Sequence, residues 1–371
     1  MKKIMKLLFV LFFLVGCGKT NMEYYDFAIV DATNISYFKK NGDVLEKIDS
    51  KKRDVKEKGL WFVPNQFFGN ENYYYGVTSE NIRDNLAVYI EKIDKLSHRT
   101  SRTKTRILDT ATLGENKFYT ITNNLTNMVI TIYNEDLELE QSKTLEVREN
   151  AYHYPTDCIE VDGYLYVICG LVFEDKEYGY NENYLLKFDS NLNLVEEYGI
   201  PKNDGSFFSM INVGKRIYMT LTSSGLKTVN DYAGEYQTGD SGNEIWVFDL
   251  EEERVLEEET ISLSISYPHN IIYDEKNNNF IIESGSTPTS PNHIWDIYNL
   301  DSKEEKILPI DSEKKLESQL RDTYCTFHGD WYYVVFVDEL YEYNVNTEEL
   351  NVYNLNEYGL SEAHTILFPK R

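Results

Sequence analysis

Six residues able to do chemistry fall in three short stretches and one separate position. His153 and Asp157 lie in HYPTDCIE (153–160), His269 and Asn270 in YPHNIIYD (267–274), and His364 in EAHTILF (362–368), while Asp322 stands just before Thr323. Imidazoles beside carboxylates suit general acid/base work, and the same donor types hold a divalent cation. Asp, Asn, Thr and His at the starts of strands also bond open backbone groups, a role that serves the fold alone. A second group is aromatic: Tyr178, Tyr180, Tyr232 and Tyr236, with Phe173, stand among Glu174, Asp175, Glu177, Asp231, Glu235 and Asp240. Such a mixture stacks on sugar rings or holds cations, and it equally packs loops onto one another.

Two further patterns copy the letters of known sites without their context. Gly239-Asp240-Ser241-Gly242 has the lettering around a chymotrypsin-like nucleophile, but neither His98 (in SHRT) nor His153 (in YHYPT) has the surroundings that such a site needs. Asp189, Asn191 and Asn193 begin like an EF-hand loop, yet Leu194 and Ile200 occupy the places of the required Gly and the bidentate Glu, so a hairpin turn is expected. No GxSxG, Walker A, GxGxxG, HExxH or CxxCH occurs. Nucleophile-elbow hydrolysis, P-loop chemistry, dinucleotide binding, zincin activity and c-type haem therefore lack support, and no cofactor is evident beyond a divalent cation.

The chain begins MKKIMKLLFVLFFLVGC, a cationic start and an apolar run too short to span a bilayer, followed by Leu14-Val15-Gly16-Cys17. This resembles the bacterial lipoprotein signal, whose lipobox ends in the lipidated Cys. The resemblance implies removal of residues 1–16, a diacylglyceryl group and acyl chains such as palmitate on Cys17, a tether over 17–23, and an extracytoplasmic protein held at the cell membrane. Multiple acyl chains make such anchoring stable. The chain carries 62 acidic and 37 basic side chains, a net charge of −25; removal of Lys2, Lys3 and Lys6 with the signal makes it −28. So acidic a chain, with no basic patch, repels phosphate backbones, and nucleic acid is excluded as a partner. The remaining thiols, Cys158, Cys169 and Cys325, have no metal-ligand spacing. A hairpin at Asp162-Gly163 pairs Val161 with Tyr164, Cys158 with Val167 and Cys169 with Thr156, so the first two thiols are diagonal neighbours, read as buried core thiols and not as a disulfide.

The elements that must position these groups are strands. Short runs rich in Tyr, Ile, Val and Phe recur between turn residues, as in YLYVICG (164–170), RIYMTLT (216–222) and WYYVVFV (331–337). A five-residue pattern repeats seven times: ISYFK from 35, IEKID from 90, ITIYN from 130, LLKFD from 185, IWVFD from 245, WDIYN from 295 and LYEYN from 340. The mean spacing is about 51 residues, the length of a four-stranded blade with generous loops. One strand, 25–31, precedes the first copy, and a spare strand, 363–369, follows the last. Each end completes the other. The pattern resembles the seven-bladed β-propellers of the YVTN and quinoprotein-like type, with strand closure between the termini. That resemblance implies an all-β fold of four-stranded antiparallel blades in a single domain over 24–371, expected as a monomer. The GH and WD signature of WD40 blades is absent. Ile82, Leu86, Ile90, Ile93 and Leu96 also fit helical spacing, which leaves six or eight blades open, and 312–320 reads as a short surface helix.

In such a ring the starts of the inner strands crowd one mouth, which gathers Asp109, Thr156, Asp157, His269, Asn270, Asp322, Thr323 and His364, with His153 on the rim. Long loops over blades four (171–183), five (223–243) and six (283–292) raise the rim there. The acid runs Glu251 to Glu253 and Glu257 to Glu259 read as a solvated outer edge. The expectation is a lipid-anchored propeller that binds an extracellular glycan, peptide or protein at this rim. The alternative is a metal-assisted lyase or hydrolase that uses His269 and His364 at the channel mouth.

Overall fold

The computed structural model describes residues 24–369 except 43, 54–60, 83–84, 124–126, 147–150, 174–181, 203–204, 232–233, 288–289, 311–322, 337 and 361–362. Seven antiparallel sheets make a ring of seven blades, a β-propeller. From blade one to blade seven the inner strands are Ala363–Leu367, Trp61–Gly69, Thr110–Leu113, Ala151–Val161, Ser206–Val213, Pro268–Asp274 and Thr323–His328. Every copy of the five-residue pattern lies in the third strand of its blade, from Asn34–Asn41 in blade one to Glu339–Asn344 in blade seven, with Asp189 at the end of the blade-four copy opening the turn after its strand.

These strands read as continuous apolar runs because each blade is covered on both faces. All five residues of Phe27–Asp31 are buried, and an apolar cluster joins every adjacent pair of blades. Polar groups in these interfaces are matched across blades. Arg53 of blade one meets Glu91 of blade two at 2.6 Å, Lys40 of blade one meets Glu342 of blade seven at 2.6 Å, and Tyr332 of blade seven donates to Asp274 of blade six at 2.8 Å.

Blade two settles the count. The segment with helical spacing is the strand Asn85–Asp94, paired on both sides, so the ring has seven blades and neither six nor eight. Period-two alternation of Leu86, Val88 and Ile90 outweighs the helical fit because the neighbouring strands supply the backbone partners. The hairpin at Asp162-Gly163 has the expected pairs Val161 with Tyr164 and Cys158 with Val167, but Cys169 faces Pro155. A bulge between Pro155 and Asp157 takes up Thr156. Cys158, Cys169 and Cys325 are buried thiols that form no disulfide among the described residues. The expected helix at 312–320 lies outside the described residues.

The ring closes as the termini imply. Ala363–Leu367 forms the inner strand of blade one and pairs with Phe27–Asp31, Ala28 opposite Leu367 and Ile29 opposite Ile366. Just beyond, the Tyr74 hydroxyl of blade two donates to the Phe368 carbonyl at 3.0 Å and accepts from its N–H at 2.9 Å, while the Phe368 ring stacks on His328 at 4.5 Å. Truncation at residue 360 is expected to cost several kcal/mol, since it removes a whole inner strand, and Tyr74→Phe about 1 kcal/mol. Urea unfolding of the truncated chain with the wild-type midpoint would refute this closure.

Candidate functional site

The mouth is defined by the starts of the inner strands. At its blade-four side the structure turns one expected site residue into a clamp. The Asp157 carboxylate accepts from Met210 N–H at 2.7 Å and the Ser209 hydroxyl at 3.1 Å in blade five, from Cys158 N–H at 2.8 Å, and from the Thr110 hydroxyl of blade three at 3.4 Å. Asp157 keeps some exposed surface, yet burial of its carboxyl pushes it up to about 6 against the pull of these four bonds. His153 is buried, with its carbonyl accepting from the Asn123 amide of blade three. Burial likewise raises the Asp109 carboxyl, which accepts from Asn123 N–H.

Between blades five and six the mouth is differently built. Phe208 of the inner strand Ser206–Val213 is 36% exposed, and its ring lies 4.5 Å from that of buried His269. The His269 carbonyl accepts from the Thr220 hydroxyl at 2.9 Å and the Pro268 carbonyl from the Thr222 hydroxyl at 2.6 Å. Beside them the Asn270 amide donates to the buried Glu283 carboxylate. An exposed aromatic face thus stands next to an imidazole, an amide and a carboxylate.

The raised rim is folded where the sequence reading expected loops. In blade five Arg216–Asp231 and Gly234–Asp249 form one long hairpin. Its inner neighbour stops pairing at Ser206 opposite Ser223, whereas pairing within the hairpin runs on from Gly225 opposite Asp240 to Asp231 opposite Gly234. This extension rises roughly 20 Å above the blade. In blade six Asn279–Thr287 and Ser290–Asn299 continue past Pro268 in the same way. The correction follows from pairing: Leu226 to Asp231 becomes strand because a partner of equal length lies opposite and satisfies its backbone.

Tyr267 ties the two hairpins together. Its N–H donates to the Gly242 carbonyl of blade five at 2.8 Å, and its own carbonyl accepts from Gly285 N–H of blade six at 2.6 Å. Its φ of 51° is left-handed, a strained state for a bulky residue that these two bonds maintain. Gly242 is required at this crossing, because a Cβ there would collide with the Leu221 carbonyl.

The structure therefore places His269 and Asn270 together under the blade-five and blade-six hairpins, with Asp157 and His153 one interface away. His364 begins the inner strand of blade one, separated from His269 by blade seven. Tyr236 lies in the blade-five hairpin opposite Val229. Tyr178, Tyr180, Tyr232 and Asp322 lie outside the described residues. Sequence reasoning missed Phe208, Tyr267 and Glu283. Phe208 gave no signal, because a strand covered on both faces can bury both Phe207 and Phe208, and its exposure accompanies the register shift between Phe207 and Met210. Among the described residues no group of three or more His, Cys, Asp or Glu is arranged to hold a metal ion.

No family model matches the chain, and no curated protein matches it either. Solved structures do. A putative 6-phosphogluconolactonase from Bacteroides uniformis is similar over 93% of this chain and all of that one, at 10% identity and a TM-score of 0.55. A Synechocystis apocarotenoid oxygenase is similar over 94% of this chain and 93% of that one, at 8% identity and a TM-score of 0.50. A prolyl endopeptidase is similar over 94% of this chain but 51% of its own, at 12% identity and a TM-score of 0.50. Likeness at such identity shows the fold alone.

Two buried carboxyls provide a test of these assignments. Asp157 is raised to about 6; Asp296, fully buried in the third strand of blade six, is raised to about 8 by burial and next by the Glu305 carboxylate. In both, folding favours the protonated form, so the stabilising contribution is full below pH 3.8 and lost as pH rises through the folded value. Asp296→Asn, which mimics the protonated acid, is expected to raise the melting temperature at pH 9 and leave it near wild type at pH 5. A wild-type pH profile in this variant would reject the buried acid. Asp157→Asn is expected to cost about 1–3 kcal/mol at pH 7, because either orientation of the amide puts N–H against a backbone N–H. Unchanged urea unfolding would remove Asp157 from its role as a clamp.

Proposed function

We propose that the chain is a lipid-anchored extracytoplasmic binding protein whose propeller mouth takes a glycan, peptide or protein between the hairpins of blades five and six. One observation carries this reading: two neighbouring hairpins, joined through strained Tyr267, rise beside the exposed Phe208 face, which the buried His269, Asn270 and Glu283 support from behind. Strain held by surrounding bonds and an open aromatic face between two raised hairpins form a combination suited to binding.

The topology agrees with an anchor at Cys17. Phe27–Asp31 runs antiparallel to the inner strand Ala363–Leu367, so the chain enters blade one at the end opposite the mouth. A tether from 17 to 24 reaches at most about 25 Å, which keeps that end toward the bilayer and the mouth toward the exterior. Metal-assisted lyase or hydrolase chemistry has less support. His269 is only 3% exposed and packed on Phe208, and the lactonase activity named for one fold relative is that protein's own.

Two measurements test the reading. Cys17→Ala is expected to abolish acylation by labelled palmitate and to move the protein out of the membrane fraction; retention there would reject the anchor. Replacing 226–239 by Asn-Gly, which leaves the pairs shared with the rest of blade five, is expected to keep the melting temperature within a few degrees. A ligand found in a thermal-shift screen of glycans and cationic peptides stabilises the wild type by about 2.7 kcal/mol at a hundred times its dissociation constant. That shift should vanish in the shortened chain and in Phe208→Ala. Its persistence in both would sink the mouth as the site, and turnover lost only with His269→Ala would transfer the mouth to catalysis.

A further inference from the structure

The end of the ring opposite the mouth carries a cavity of about 500 Å³ between blades five and six, lined by Arg216, Tyr218, Glu259, Ile261, Tyr298 and Lys303 among others. Arg216 opens the second strand of blade five just after the turn that follows the inner strand, and Lys303 lies in the turn after Ser290–Asn299. Neither belongs to the mouth. Tyr218 and Tyr298 are held in the cluster that joins blades five and six, with only 7% and 8% of their surface exposed, so these two rings are rigid walls.

The polar side of the cavity is prepared and asymmetric. Arg216 forks onto Glu259 at 2.5 and 3.0 Å, which fixes the guanidinium plane. Of the other acids of this outer edge, Glu252 and Glu258 pair with Arg254, Glu251 with Lys215 and Glu253 with Lys187, and Glu258 also lines the cavity. Lys303 has no ion pair among the described residues, and its turn is fixed by a left-handed φ of 60° and a bond from its N–H to the Asn299 carbonyl at 2.9 Å. An ammonium without a counterion therefore borders a cavity with two aromatic walls, on a chain whose net charge is −25.

We propose that this cavity binds an acidic sugar, a pyranose ring bearing one carboxylate. The C–H edge of the sugar ring matches the small exposed parts of Tyr218 and Tyr298, the hydroxyls match the Arg216–Glu259 fork, and the carboxylate supplies the charge missing at Lys303. The volume lies in the range of small-molecule sites. This site is independent of the mouth, on which the proposed function rests.

The test is calorimetric titration of the full-length protein, purified in detergent, with D-glucuronate, D-glucose and inorganic phosphate. D-glucuronate is expected to bind, and D-glucose to bind about tenfold more weakly or not at all, the loss of one charge-assisted hydrogen bond. Lys303→Glu is expected to remove the preference for the acid with an unchanged melting temperature, since the side chain is exposed and unpaired among the described residues. The chain shortened at 226–239 is expected to keep its glucuronate affinity. Absence of glucuronate binding, or equal binding by Lys303→Glu, overturns the proposal. Phosphate binding as tight as glucuronate reduces the site to a bare anion site and overturns the sugar, and loss of affinity in the shortened chain assigns the binding to the mouth.

Discussion

The pairing of Ala363–Leu367 with Phe27–Asp31 is the interaction on which the rest of the molecule depends. A row of blades left open would expose one face of the first blade, one face of the last and a free inner edge. Closure across the whole length of the chain removes all three at once, and it couples the termini to every interface between them. Phe368 shows how tightly the join is made, being bonded to Tyr74 of blade two and stacked on His328 of blade seven while its own strand belongs to blade one.

Coverage on both faces explains why the repeat was legible. Each third strand needs apolar residues on both sides and a polar residue at its turn, so the same five-residue pattern recurs without close similarity elsewhere in the blades. The uncertain copy, at 90, shows the limit of that signal. Ile82, Leu86, Ile90 and Ile93 satisfy a helical period and a strand pattern alike, and only the partners at 73–82 and 100–105 decide between them. The stretch ending at Cys17, proposed above as an anchor, is a different kind of pattern, since signals of the type it resembles are read as linear sequence before a chain folds.

The site was legible in part. Strand starts gathered His269 and Asn270 at the mouth because register follows from the repeat. What each residue does there depends on neighbours from other blades, which no local pattern encodes. Asp157 resembles a catalytic carboxylate in sequence, yet donors from blades three and five use both its oxygens. Tyr267 was unremarkable beside Pro268 until its two backbone bonds to separate hairpins came into view. The rim illustrates the same limit, because 223–231 and 234–243 have the Gly and Asp content of a loop and become strand through pairing with each other.

The two ends of the ring are left with different freedoms. Strand-to-strand turns at the end where Phe27 enters are short and held by local bonds, as at Asp189, whose carboxylate accepts from Asn191 and Asn193 N–H. Variation there is confined to side chains, and a cavity at that end has to be built from what the blade interface already provides, namely Tyr218 and Tyr298. At the mouth, connections between second and third strands can lengthen without disturbing an interface, since pairing inside a hairpin satisfies its own backbone. Two adjacent extensions still need a fixed mutual position if they are to form one surface. Tyr267 supplies it by bonding to both, and the strain at its backbone is tolerated because the closed ring holds blades five and six at a constant distance. The rigidity of the closure is thus what lets a raised, shaped mouth exist on a scaffold whose blades are otherwise alike.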